Sequence, residues 1–104
     1  MEKIRVLYKK VGECPELLEV PNELESFQQL VGGYIETVPL FPSVLAICDE
    51  EGKLKGKPFN FKIRGEDIVG SVVCVGYTDG EENFRSLTNP EIIESVYRME
   101  GWGL

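Results

Sequence analysis

The stretch Asn22 to Glu36, reading NELESFQQLVGGYIE, constrains the fold more than any other, because caps, periodicity and turn chemistry agree there. The side-chain oxygen of Asn22 can accept a bond from an orphan backbone N–H of a first helical turn, and Glu25 can reach back in a capping-box arrangement, so a helix is predicted to begin at Asn22. Leu24, Phe27, Leu30 and Val31 then recur at intervals of three or four and form one apolar stripe, leaving Glu23, Glu25, Ser26, Gln28 and Gln29 for water. Gly32 and Gly33 supply a left-handed residue without steric cost and stop the helix. Tyr34 to Val38 follows with the composition of a strand, and Pro39 limits its continuation.

At 104 residues the chain reads as a single domain, 1–104, since chains of this size bury roughly two-thirds of the surface exposed when unfolded. A hydrophobic fraction of 42% and a charged fraction of 28% are those of an ordinary globular domain. No apolar run approaches the ~20 residues that span a bilayer. Met1 to Lys10 lacks the apolar core and cleavage site of a signal peptide, which places the protein in the cytoplasm by expectation. Cys14, Cys48 and Cys74 form no C-x-x-C pair, and no histidine is present to complete a zinc site. Reduced thiols are expected, with Cys48 and Cys74 inside apolar strands and Cys14 in a polar turn; no cofactor and no metal are expected.

The remaining elements follow in order. Lys3 to Tyr8 alternates as a half-buried strand, with Ile4, Val6 and Tyr8 on one face, and Leu17 to Val20 can pair back on it across a turn at Gly12 and Pro15. Ser43 to Cys48 is apolar on both faces and reads as an interior strand. Asp49-Glu50-Glu51-Gly52 is a polar turn whose spacing is wrong for a calcium loop. Gly70 to Tyr77 is the strongest strand by composition, and Thr78 to Asn83 is an acidic loop through Asp79-Gly80. Thr88 caps a second helix with Pro90 in its first turn and Glu91 in the capping-box position. Ile92, Ile93, Val96, Tyr97 and Met99 form its apolar face, Gly101 stops it and Trp102 packs back on the domain. The fold class is therefore α+β, a mixed and mainly antiparallel sheet of about five strands with two helices on one face.

Between them, Gly52 to Gly70 has no clear period and reads as a long irregular excursion, a length at which loops tend to be functional. Lys53, Lys55, Lys57, Lys62 and Arg64 stand in it without an acid from 53 to 64, around Phe59, Asn60 and Phe61. Lys53, Lys55, Lys57, Phe59, Asn60, Phe61 and Arg64 are thus the candidate binding residues, a basic and aromatic lip for an anionic ligand, with Tyr34 and Glu36 beside them on the emerging strand. A solvated excursion whose phenylalanines cover the sheet is the plainer reading of the same residues.

The order of features resembles a known family. LESFQQLVGGYIE, the run Cys48-Asp49-Glu50-Glu51-Gly52-Lys53-Leu54-Lys55-Gly56-Lys57-Pro58-Phe59-Asn60, the strand GSVVCVGY and the closing FRSLTNPEIIE are similar to an uncharacterised family of single domains found in phages, plasmids and gut bacteria and carried as a domain of unknown function. The most specific motifs are Val31-Gly32-Gly33-Tyr34-Ile35-Glu36, Asn60 after Gly56-Lys57-Pro58, and Ser86-Leu87-Thr88. Members often carry an arginine directly after that asparagine, where this chain has Phe61 and its nearest arginine is Arg64. The resemblance implies a mobile-element setting and brings no activity with it.

Function is narrowed by charge. The net charge is −7, with 18 acidic against 11 basic residues, which disfavours binding to a nucleic-acid backbone. After Gly65 eight acids stand against Arg85 and Arg98, a local charge of −6. An enzyme is disfavoured, since no histidine, nucleophile elbow or phosphate-cradling glycine loop occurs. A non-enzymatic module that binds a basic host protein through its acidic surface is the leading expectation. The alternative is a binder of a nucleotide or phosphorylated metabolite through the 53–64 segment. A homodimer paired through an exposed sheet edge is the third.

Overall fold

The structure is a computed structural model and describes residues 2–100. The strands β1 (Lys3–Lys9), β2 (Glu16–Pro21), β3 (Ile35–Phe41), β4 (Val44–Asp49) and β7 (Val72–Gly76) form an antiparallel sheet in the order β2-β1-β7-β4-β3. Helix α1 (Leu24–Val31) lies between β2 and β3 in the chain, the hairpin β5 (Phe59–Ile63) with β6 (Glu66–Val69) between β4 and β7, and α2 (Asn89–Met99) follows β7. The expected class holds: α+β, with a five-stranded antiparallel sheet and two helices.

The helices lie on opposite faces of that sheet rather than on one. Along β7, Val73 and Val75 point to the side where Phe27 and Val31 of α1 pack with Ile4, Val6 and Ile47. Val72 and Cys74 point to the other, where Met99, Ile92 and Val96 of α2 pack with Leu7, Val44 and Ala46. The cause is the central strands themselves, which are apolar on both sides, so each face needs its own cover. Burying a side chain such as Phe27, only 2% exposed, contributes about 1.5–3 kcal/mol.

The stretch at 52–70 is not irregular throughout. Phe59–Ile63 and Glu66–Val69 pair as a hairpin that closes through Arg64-Gly65, with Ile63 opposite Glu66. Both turn residues have positive φ, 48° and 83°, as a tight type I′ turn requires. Phe61, Ile63 and Ile68 are buried in the α2-side core, so the hairpin shares the covering of that face with α2.

Helix α1 also starts differently from expectation. Its N-cap is Glu23, with no side-chain cap, and the Asn22 amide instead donates to the Phe84 carbonyl at 2.8 Å. Leu24 is 56% exposed, so the buried stripe is Phe27 and Val31 with Leu30 alongside. Gly32 closes the helix in the left-handed conformation, φ 81°, its N–H bonding Gln28 O. In α2 the capping box of Thr88 and Glu91 forms as read, but Ile93 and Tyr97 face outward and Ser95 is buried in their place. β3 continues through Pro39 to Phe41 with a register irregularity, which an edge strand tolerates. The readings on Gly101 and Trp102 lie outside the described residues.

Candidate functional site

The apolar run of β4 ends on Asp49, whose side chain is 1% exposed below the C-terminal end of α1. Lys55 and Lys57 bring their Nζ atoms to 2.7 and 2.8 Å from its Oδ2, and Oδ1 accepts from the Glu51 amide at 2.9 Å. The same lysines donate to the last carbonyls of the helix, Lys57 to Val31 O at 2.7 Å and Lys55 to Gly32 O at 3.3 Å, where a cation also suits the helix dipole. Burial alone would raise the Asp49 carboxyl, but hydrogen bonds from Lys55, Lys57 and the Glu51 amide hold it well below the usual carboxylate range. The bond to Asp49 correspondingly raises Lys55.

The glycine pair fits this arrangement. Gly32 supplies the left-handed cap, and Gly33 lets the ion pair approach: a Cβ there would stand 2.7 Å from each Asp49 carboxylate oxygen and 2.7 Å from Lys55 Nζ.

Asn60 is a second junction. Its Oδ1 accepts from the buried Lys9 Nζ at 2.9 Å, and its Nδ2 donates to Lys9 O at 3.0 Å and Gly70 O at 2.7 Å. It therefore ties the hairpin to the end of β1. At the hairpin tip Arg64 donates to Pro39 O at 2.8 Å on the β3 edge. Ser86 Oγ accepts from the Arg5 amide at 2.9 Å, and Leu87 is buried beside it.

The residues expected to share one rim are thus dispersed. Tyr34, 67% exposed, and Lys55 line a groove of about 370 Å³ on the outer side of α1 with Glu25, Gln28, Gln29 and Glu51. Glu36 and Lys53 line another of about 250 Å³ beside Cys48, and Lys53 makes a wide, exposed pair with Glu66 at 3.6 Å. Phe59, half exposed, Asn60 and Phe61 line a third of about 310 Å³ with Lys62 and Arg98. Those two bases are themselves paired, Lys62 with Asp67 and Arg98 with Glu94.

The acidic surface sorts differently. Of the eight acids after Gly65, Glu66, Asp67, Glu91 and Glu94 form salt bridges. Glu91 binds Arg85 through both oxygens, at 2.8 and 2.9 Å; that bond holds its carboxyl down at about 2, against the opposing effect of burial. Asp79, Glu81 and Glu82, on the exposed loop after β7, and Glu100, at the end of α2, remain without a salt bridge among the described residues. Glu82 shares a groove of about 160 Å³ with Glu23 and Leu24 at the start of α1. Carboxylates therefore stand on both sides of α1, Glu23 and Glu82 on one and Glu25 and Glu51 on the other, with Leu24 and Tyr34 exposed among them.

Sequence reading passes over this grouping because Glu23 and Glu82 are each unremarkable locally, one on a helix surface and one in a polar turn. The bond from Asn22 to Phe84 and the packing of Phe84 on Phe27 bring their segments together. The thiols of Cys48 and Cys74 are pushed up by burial, to about 11 with help from Glu36 and to about 12, and neither suits nucleophilic work at neutral pH. Among the described residues no group of three or more Cys, Asp or Glu side chains is placed to hold a metal ion. No helix there is long and apolar enough to cross a membrane.

A family model described as a domain of unknown function, DUF3846, matches residues 4–100. No curated protein and no solved structure matches the chain.

Proposed function

The chain belongs to the DUF3846 family, and we propose that it is a non-enzymatic binding module that engages a basic protein through the acidic face around α1. The observation that carries this reading is the set Glu23, Glu25, Glu51 and Glu82, none of them in a salt bridge among the described residues, around the exposed side chains of Leu24 and Tyr34. Apolar and aromatic anchors among several carboxylates, with Lys55 the one cation lining these two grooves, suit a protein partner, the anchors giving contact area and the excess negative charge giving encounter rate and specificity. A basic host protein met by a mobile-element product would be such a partner, in keeping with the setting that the sequence resemblance implies.

The other two readings have less support. An anionic small molecule at 53–64 would have to take Lys55 and Lys57 from Asp49. Pairing through a sheet edge meets Glu16 and Glu19 on β2, and Pro39 capped by Arg64 on β3.

Affinity capture from a cell extract at low salt tests the proposal, with the wild type beside Glu23→Gln/Glu25→Gln/Glu82→Gln. Basic proteins retained by the wild type, released by salt and lost with the variant are expected. Recovery of no basic protein, or equal recovery by both, contradicts it.

A further inference from the structure

We propose that the groove between the start of α1 and the loop at 78–84 receives a single arginine side chain of the basic partner. The inference rests on the acidic-face reading and names where that face grips.

The groove measures about 160 Å³, below the roughly 300–1,000 Å³ of sites that enclose a whole small molecule. One long side chain is the occupant of matching size. Leu24, Phe27, Ile35 and Phe84 form its apolar walls beside the amides of Asn22 and Asn83, and Glu23 and Glu82 are its only charged lining residues. That combination fits a side chain with an apolar stem and a cationic head.

The groove is held open in advance. The Asn22 amide donates to Phe84 O at 2.8 Å, fixing the loop to the helix. Phe84 meets Phe27 edge to face, with ring centroids 5.5 Å apart and planes at 76°. Such preorganisation lowers the ordering cost of binding. Arginine is favoured over lysine because a planar, weakly hydrated guanidinium can bond two carboxylates at once and lie against an aromatic ring. A divalent ion would need a shell of about six or more oxygen ligands, and among the described residues no group of three or more carboxylate or thiol side chains is placed to hold one.

The test is a titration of the ¹⁵N-labelled protein with hexa-arginine and hexa-lysine peptides at low salt, followed by amide shifts. The wild type is compared with Glu82→Gln, Glu23→Gln/Glu82→Gln and the control Glu16→Gln/Glu19→Gln on β2. Expected are shifts centred on Glu23, Leu24 and residues 82–84, with hexa-arginine binding more tightly than hexa-lysine. Affinity should fall about threefold for Glu82→Gln and about tenfold for the double variant, and the control should bind as the wild type does. Shifts centred elsewhere, on β2 or around Glu51, overturn the groove and leave the broader acidic-face reading standing. Equal affinity for the two peptides, or the same shifts from calcium chloride alone, overturns the arginine assignment. No binding of either peptide overturns both readings.

Discussion

Lys57 Nζ lies 2.8 Å from Asp49 Oδ2 and 2.7 Å from the Val31 carbonyl, so one ammonium joins the end of β4 to the end of α1. Lysines that look available to a ligand are thereby parts of the framework. A buried carboxylate with two cations is costly to break from one side, because the remaining charges lose their partner.

Asp49→Asn should therefore destabilise the fold by about 2–4 kcal/mol, and Gly33→Ala, whose methyl would intrude on the same carboxylate, by about 1–3 kcal/mol. Urea unfolding of each variant checks both values. Wild-type stability in either variant would mean that the clamp does not hold α1 in place.

Stability should fall in acid. The folded carboxyls of Asp49 and Glu91 are both depressed, Glu91 from 4.5 to about 2, so below pH 4.5 the unfolded chain takes up protons before the folded one does. Their contribution is complete above that pH and declines as pH falls toward 2. Urea midpoints at pH 7, 4 and 2.5 should decrease in that order, and Arg85→Met should flatten the part of the decline that comes from Glu91.

Native thiol titration should count one reactive cysteine. Cys14 is exposed, whereas Cys48 and Cys74 are buried and raised to about 11 and about 12, which leaves little thiolate at pH 8. Denaturant should raise the count to three, the number of free cysteines in the chain. Fast labelling of more than one thiol in the native state would contradict the packing of β4 and β7.

Asn22 offers a test of the loop anchor. At a helix N-cap asparagine and aspartate are nearly equivalent, but only the amide can donate to Phe84 O. Asn22→Asp should thus cost about 1 kcal/mol and perturb the amide shifts of residues 78–84. Neutral behaviour would return Asn22 to the capping role.

Much of the fold is legible in local chemistry. The capping box of Thr88 and Glu91, the stop at Gly32, and the apolar strands β4 and β7 depend on neighbours in sequence, and they form as read. What escapes is decided across the chain. Asn22 has two ways to satisfy its side chain, and the one that prevails uses Phe84, sixty-two positions away. The hairpin at 59–69 hides because Arg64-Gly65 is not one of the usual turn dipeptides; its alternation of Phe61 and Ile63 inward with Lys62 outward was the available sign. The opposite placement of the helices follows from β7 being apolar on both sides, a property visible in its composition. The candidate site was the least legible part. A lysine's freedom depends on whether a carboxylate lies behind it, and Asp49 looked like a residue of a polar turn.

Resemblance, too, takes on physical content. Gly32 and Gly33 serve the Asp49 clamp, Asn60 joins Lys9 to Gly70, and Ser86, Leu87 and Thr88 join β1 to α2. These motifs maintain the framework.

The most direct measurement is the salt dependence of affinity for a basic partner protein recovered at low salt, made on the wild type and on Glu23→Gln/Glu25→Gln/Glu82→Gln. Affinity of the wild type should fall steeply with salt, and the variant should bind about tenfold more weakly at low salt with a shallower slope. Equal affinity and equal slope for the two proteins would contradict recognition through the acidic face.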